Sequence, residues 1–132
     1  MTDINNVTLL GRVTQEIGER DFQYLNTGTC KLTIHIANNE SGKQGDNWVD
    51  EASYFDVVVW GKAAENLKQK IFKGVQVVVS GRLKQDRWKD QNGNNKSRIY
   101  INSESVRVFD KGGNYQNDNY NQNDNYGGNE WQ

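Results

Sequence analysis

The stretch SYFDVVVWGKAAENLKQKIFKGVQVVVSGRL, residues 53–83, decides the fold, because it places a segment of helical periodicity between two β-type runs. The first run, residues 53–60, carries bulky side chains on both faces, which indicates that both faces are covered. The last run, residues 75–83, is the most apolar strand of the chain, which predicts a position at the centre of a sheet. We therefore expect a mostly β domain with one helix.

The predicted helix is short. Ala63, Ala64, Leu67 and Ile71 stand at helical spacing after the first run. Gly74 follows where a left-handed helix cap is expected. The sequence therefore predicts one helix that is capped by this glycine.

Two further β-type runs precede residue 53. The run VTLLGRV, residues 7–13, is interrupted by Gly11, which predicts a bend or bulge that curls the sheet. The run CKLTIHIAN, residues 30–38, alternates cleanly, so that Ile34 and its even-numbered neighbours face the core while His35 faces outward. The polar, glycine-bearing residues 38–51 predict a loop that is long enough to be functional.

The stretch RLKQDRWKDQNGNNKSRIYI, residues 82–101, predicts a long hairpin. Leu83 must share the core-facing side with Ile99 and Ile101, so paired positions must sum to an even number. A two-residue turn at Asn92 and Gly93 gives an odd sum, so we expect a longer loop or a glycine bulge. This register places the following residues together on the face away from the core: Arg82, Lys84, Asp86, Trp88, Arg98 and Tyr100.

The charge is divided between two segments. Residues 1–109 carry 15 basic and 13 acidic side chains, a net charge of +2, whereas residues 110–132 carry a net charge of -3. The second segment repeats the unit QNDNY and has no aliphatic side chain to bury. We therefore expect a domain at residues 1–109 and a disordered Asn/Tyr/Gly-rich tail at residues 110–132.

Several functional classes are disfavoured by composition. A single cysteine, Cys30, and a single histidine, His35, do not assemble a metal site, so no metal and no cofactor are expected. We find no arrangement of nucleophile, base and orienting group, which predicts that the protein is not an enzyme. No signal-peptide pattern or membrane segment is present, which predicts a soluble, cytoplasmic protein.

The order of these elements is typical of an all-β, five-stranded OB-fold barrel with one short helix between strands 3 and 4. At this point the sequence resembles the bacterial single-stranded DNA-binding proteins across residues 4–109. The resemblance is carried by three successive blocks: INNVTLLGRV, NTGTCKLTIHIANNE and YFDVVVWGKAAENLKQKIFKGVQVVVSGRLKQDRWKDQNG.

The resemblance implies sequence-independent binding and protection of single-stranded DNA during replication, recombination and repair, usually by a homotetramer. Family aromatics at three matching places correspond to Tyr54, Trp60 and Trp88. The family often has another aromatic after strand two, where this chain reads Glu-Ser-Gly at residues 40–42; Trp48 is the candidate substitute.

Each aromatic also has an alternative role. Trp88 either stacks on a base or packs on the barrel or an adjoining subunit, Trp60 stacks or packs against the following helix, and Tyr54 contacts a base or a subunit. Candidate phosphate contacts are the basic residues, of which Lys62, Lys73 and Arg98 match basic family positions. The full set is Arg12, Lys31, Lys62, Lys73, Arg82, Lys84, Arg87 and Arg98.

The tail departs from the family pattern, and two alternative functions remain open. Family members commonly end in several acidic residues and an apolar pair that recruits replication and repair proteins, whereas this chain offers Glu130 and Trp131. One rival is a dimeric OB-fold accessory protein of replication restart. The other is an OB module that binds protein instead of nucleic acid.

Overall fold

The structure is a computed structural model that describes residues 1–109. The predicted tail at residues 110–132 lies outside the described residues. The elements, in chain order, are β1 (Val7–Val13), a 3-10 helix (Glu19–Asp21), β2 (Phe22–Tyr24), β3 (Cys30–Gln44), β4 (Asn47–Trp60), α1 (Gly61–Lys68), β5 (Gln76–Lys89) and β6 (Asn95–Phe109). Over residues 1–109, no helix has the length and apolar character needed to cross a membrane.

The strands form a closed barrel. Their order is β1-β5-β6-β4-β3-β2, and an additional pairing between β1 and β3 closes five of them into a ring. The short β2 lies outside this ring, beside β3. The helix α1 lies between the third and fourth barrel strands, β4 and β5, so the predicted OB-fold is confirmed.

The barrel closes at Gly11. Here β1 passes from its partner β5 to β3, to which it pairs through Arg12 and Val13. A Cβ atom at Gly11 would lie 2.8 Å from the carbonyl oxygen of Ala37. The predicted bend is therefore the point at which β1 approaches β3 too closely for any side chain.

The interior is filled by alternate residues of the strands. Ile34 in β3, Val57 and Val59 in β4, and Val77 in β5 are fully or almost fully buried. The helix contributes Ala64 and Leu67 to the same core. The strand β5 pairs with β1 on one side and β6 on the other, but in a closed ring every barrel strand has two neighbours, so no strand occupies a central position.

The predicted helix end is wrong. The helix α1 ends at Lys68, so Ile71 is buried beyond the helix and Gly74 does not cap it. Gly74 has a φ of 91°, but in a turn where its N–H donates to the Val13 carbonyl at 2.7 Å. The backbone requirement was thus identified correctly and assigned to the wrong turn.

The predicted loop at residues 38–51 is also wrong. The strands β3 and β4 extend through it as one hairpin, from the pair Asn38 and Ser53 to the pair Gln44 and Asn47. Gly45 occupies the two-residue turn with a φ of 63°. Because the hairpin arm projects beyond the barrel, both faces are polar and the alternation that identifies a half-buried strand is absent.

The β5–β6 hairpin has the predicted register. Leu83 pairs with Ile101 and Lys84 with Tyr100, both even sums, and a five-residue loop with Gly93 at a φ of 82° joins the strands. The prediction that Leu83 and Ile99 are buried with Ile101 is wrong. Leu83 lies opposite the buried Ile101 at the edge of the core, Ile99 lies farther along the hairpin, and both side chains are exposed.

Candidate nucleic-acid interface

One side of the sheet presents aromatic and basic side chains together. Pairing across β3, β4, β6 and β5 places alternate residues of each strand on the exterior, because directly paired residues point to the same side of a sheet. We call this surface the outward face. It consists of Lys31, His35, Trp48, Tyr54, Asp56, Trp60, Arg82, Lys84, Asp86, Trp88, Lys96, Arg98, Tyr100 and Asn102.

Trp60 is held in a fixed orientation at the end of β4. Its indole Nε1–H donates a hydrogen bond to Oδ1 of Asn102 at 2.7 Å. Nζ of the paired Lys31 lies 5.7 Å from the ring centroid, within the range of a cation–π interaction. The ring remains 38% exposed, beside a groove that Ala63 of α1 and Ser103 of β6 also line. It therefore offers a positioned aromatic surface next to a positive charge.

Trp88 lies on the projecting arm of the β5–β6 hairpin. It pairs with Lys96 and is 47% exposed. It lines a groove together with Arg87, Lys89 and Asn95. Among the described residues, Trp88 belongs neither to the buried core cluster nor to the partly buried residues packed against it.

Tyr54 and Trp48 continue the aromatic series along β4. Trp48, Tyr54 and Trp60 are separated by six residues each, so they share one face of the strand at intervals of about 20 Å. Tyr54 is 71% exposed and pairs with Ala37, and Trp48 is 72% exposed and pairs with Lys43. The substitute aromatic expected at Trp48 thus lies on the same face as the other two.

Arg98 is the basic residue at the middle of the outward face. Its guanidinium carbon lies 5.2 Å from the centroid of the Tyr100 ring, and its Nη1 lies 3.8 Å from Oδ2 of Asp56. Its Nε atom is buried without a hydrogen-bond partner. Burial, with a smaller effect from the negative charge of Asp86, raises the pKa of the Tyr100 hydroxyl.

His35 is enclosed by two carboxylates. Nδ1 lies 2.7 Å from Oδ1 of Asp56, and Nε2 lies 3.0 Å from Oδ1 of Asp21. Burial acts to lower the pKa of His35, but hydrogen bonds to Asp21 and Asp56 and their negative charges outweigh it and raise that pKa. In residues 1–109, no group of three or more His, Cys, Asp and Glu side chains could hold a metal ion.

The remaining predicted basic residues are distributed unevenly. Arg82 and Lys84 lie on the outward face, where Arg82 Nε is 3.3 Å from Oε2 of Glu104. Arg12 pairs with Ala37 beside Tyr54 and donates from Nη1 to the Gly74 carbonyl at 3.1 Å. The structure therefore brings all three into the surface around the aromatic residues.

Three predicted residues lie apart from the outward face. Lys62 is exposed on α1, and Lys73 is exposed in the turn before β5. Arg87 follows the opposite face of β5 in the register, with its Nη2 donating to Gln85 Oε1 at 2.7 Å, but it lines the same groove as Trp88 at the edge of the arm. An odd-numbered residue in this strand cannot share the face of Trp88, so the register argument already excluded Arg87 from that face.

Sequence reasoning missed four residues of this surface and its border. Asn102 and Lys96 have the same even-number signal as Arg98 and could have been found from the hairpin register. Asp56 carries that signal too, since its even position places it on the same face of β4 as Tyr54 and Trp60. Asp21 gives no such signal, because its contact with His35 depends on how the 3-10 helix packs against β3.

Comparison with known sequences identifies related proteins. The profile of the Single-strand binding protein family matches residues 4–109. The single-stranded DNA-binding protein of Borreliella burgdorferi is 40% identical over 115 residues, which cover 86% of this chain and 75% of that protein. The single-stranded DNA-binding protein of Treponema pallidum is 37% identical over 109 residues, which cover 83% of this chain and 60% of that protein.

Comparison with solved structures finds the same barrel fold. The Plasmodium falciparum SSB, solved in complex with ssDNA, superposes with a TM-score of 0.71 at 24% identity, over 83% of this chain and 98% of that one. This likeness concerns the barrel fold, while the sequence profile and the two bacterial relatives concern the family. On these grounds the chain belongs to the single-strand binding protein family.

Proposed function

We propose that this protein binds single-stranded DNA without sequence preference and protects it during replication, recombination and repair. The observation that carries the proposal is the outward face, on which exposed aromatic rings alternate with basic side chains. Every base has a π-face, so a row of aromatic platforms binds any sequence. Sequence-specific readout would instead need polar groups directed at base edges. The proposed role is binding, not catalysis.

The proposed stacking platforms are Trp60 and Trp88, followed by Tyr54 and Trp48. Trp60 is supported most directly, because Asn102 fixes its ring and Lys31 places a charge beside it. Each stacked base contributes about 1 to 3 kcal/mol to binding. The basic residues of the same surface are proposed to contact phosphates, with Arg98 at the centre and Lys62 and Lys73 at the periphery.

We further propose that the chain assembles as a homotetramer. Leu83 and Ile99 are exposed apolar neighbours on the inner face of the β5–β6 arm, and Leu10 is exposed on the outside of β1. Covering apolar side chains of this kind against identical copies in a closed assembly would stabilise it. Light scattering at a dilute concentration tests this, and a stable dimer would favour the replication-restart accessory protein.

Residues 110–132 are proposed to act as a tether instead of a DNA-binding element. Their net charge of -3 opposes contact with phosphates, and Glu130 and Trp131 are the residues available for recruiting replication and repair proteins. A cytoplasmic, nucleoid-associated location accompanies the proposed DNA partner.

The decisive experiment is a titration of intrinsic tryptophan emission with oligothymidylate. Trp60 and Trp88 lie where bases would cover them, so we expect saturable quenching of most of the emission. An oligouridylate of the same length compares RNA with DNA. The absence of quenching and of binding to a labelled oligonucleotide would refute the proposal and favour a protein-binding OB module.

A further inference from the structure

Four charged or titratable residues from different elements form a continuous network across the outward face. Asp21 comes from the 3-10 helix, His35 from β3, Asp56 from β4 and Arg98 from β6. Asp56 occupies the middle, because Oδ1 contacts His35 at 2.7 Å and Oδ2 contacts Arg98 at 3.8 Å. A change of charge at His35 is therefore transmitted to Arg98 through one carboxylate.

The contacts of His35 fit its protonated form. A neutral imidazole has one N–H and can donate to only one carboxylate, whereas the imidazolium has two. Both ring nitrogens of His35 lie within hydrogen-bond distance of a carboxylate oxygen, so both contacts are satisfied only when the ring carries a proton on each nitrogen. The raised pKa of His35 agrees with this geometry.

Arg98 retains unused donors. A guanidinium has five N–H donors, and the ion pair with Asp56 is long at 3.8 Å and made through Nη1. The Nε atom is buried and has no hydrogen-bond partner. Arg98 also stands between the strand that carries Tyr54 and Trp60 and the strand that carries Trp88. The Arg98 side chain is 38% exposed, so the donors of its terminal nitrogens, unlike the buried Nε, can reach an anionic oxygen of a strand that crosses this face.

We propose that Asp21, His35, Asp56 and Arg98 form a proton-linked phosphate site, in which protonation of His35 compensates Asp56 and releases Arg98 for a phosphate of the bound strand. The inference rests on the proposed function and adds a specific residue set and a pH dependence to it. With His35 neutral, Asp21 and Asp56 leave negative charge beside the phosphate and Asp56 competes for Arg98. With His35 protonated, this repulsion is reduced.

The charged groups around the His35 imidazole determine whether DNA affinity increases or decreases with pH. Asp21 and Asp56 face the ring directly, and Arg98 acts through Asp56. Thr14, which directly follows β1, donates to the His35 carbonyl and brings no charge. Affinity for DNA therefore increases as the pH falls through the His35 pKa. By thermodynamic reciprocity, bound DNA raises that pKa by the matching amount.

The test uses the fact that His35 is the chain's single histidine, so its imidazole signals need no assignment among others. The pKa of His35 is measured by NMR on the full chain, free and saturated with oligothymidylate. A fivefold coupling displaces the midpoint by about 0.7 pH unit. An unchanged midpoint in a saturated complex would overturn the proposal while leaving DNA binding established.

Two variants distinguish a pKa displacement that passes through Arg98 from one caused only by the negative charge of the DNA. In Arg98→Gln the displacement should shrink, because the link between Asp56 and the phosphate is lost. Lys84→Gln is the matched control: it removes one positive charge from the same face but not from the network, so the displacement should persist. Equal displacements in the two variants would show that Arg98 has no special role and would overturn the assignment.

Affinity measurements provide an independent result. Between about pH 9 and about pH 6, the Kd of the full chain for oligothymidylate should fall about fivefold, and that of His35→Gln should change much less. The variant keeps the α-amino group, so any titration of that group is common to both proteins. Equal pH dependence in both proteins would overturn the proposal, whereas no binding at any pH would refute the proposed function itself.

Discussion

Replacing Trp88 by alanine removes one aromatic platform with little effect on the fold. The ring lies on the projecting arm, 47% exposed and outside the buried core cluster. The free energy of unfolding should therefore change by no more than about 0.5 kcal/mol. If the ring stacks on one base, binding loses about 1 to 3 kcal/mol, which raises the Kd about 5- to 150-fold. Trp88→Phe keeps an aromatic face and should lose less.

The assay is a titration of fluorescently labelled oligothymidylate followed by anisotropy, since it does not depend on the tryptophan that has been removed. Urea unfolding of the same variant verifies that the barrel is intact. Wild-type affinity in a folded Trp88→Ala protein would refute stacking at this position and would leave packing on an adjoining subunit as the role of the ring. Trp60→Ala measured in parallel shows whether the two platforms contribute independently.

Three further predictions follow from charge and backbone packing. With a net charge of only +2 on residues 1–109, log K should fall shallowly with log salt, about 0.7 for each neutralised phosphate, in a salt series of oligothymidylate binding. A chain ending at Lys111 should bind modestly tighter than the full chain at low salt, and the difference should largely vanish at high salt; much weaker binding would mean that the tail contacts DNA. In urea unfolding, Gly81→Ala should cost about 1 to 3 kcal/mol because its Cβ would overlap the Asn102 backbone, whereas the matched Gly42→Ala meets open space and should cost little.

A prediction for stability concerns His35. Its pKa is raised in the folded protein, so its contacts with Asp21 and Asp56 stabilise the fold fully below the ordinary value of 6.5 and lose that effect as the pH rises through the raised pKa. His35→Gln should therefore reduce the free energy of unfolding most at acidic pH. Urea unfolding across a pH series measures this, and a larger loss at alkaline pH would contradict it.

The parts of the fold that follow from alternation were predicted correctly. Leu32, Ile34 and Ile36 are all buried, and the even-sum register of the β5–β6 hairpin follows from aligning Leu83 with Ile101. These features depend on which side of a strand faces the core. The alternation of apolar and polar residues with a period of two encodes that side directly.

The failures occur where the chain leaves the core. Residues 38–51 pair as strands although both faces of this hairpin are exposed to solvent. Ile99 is exposed although its predicted position in the register is correct. The contact of Asp21 with His35 joins a 3-10 helix to a strand, and no local pattern encodes it. Sequence periodicity reports burial in a layer, but the length of a projecting arm and the packing of an irregular segment are set by tertiary contacts.

The closing of the barrel at Gly11 also bears on how the protein folds during synthesis. Before β5 is made, β1 can pair with β3 only through Arg12 and Val13, and its main partner, with Val7 opposite Gly81, is translated about seventy residues later. At typical elongation rates of about 5 to 20 residues per second, the first strand waits roughly 4 to 15 seconds for that partner. The nascent chain can form the local β3–β4 hairpin early, but the ring itself can close only after β5 and then β6, which joins β5 to β4, have left the ribosome.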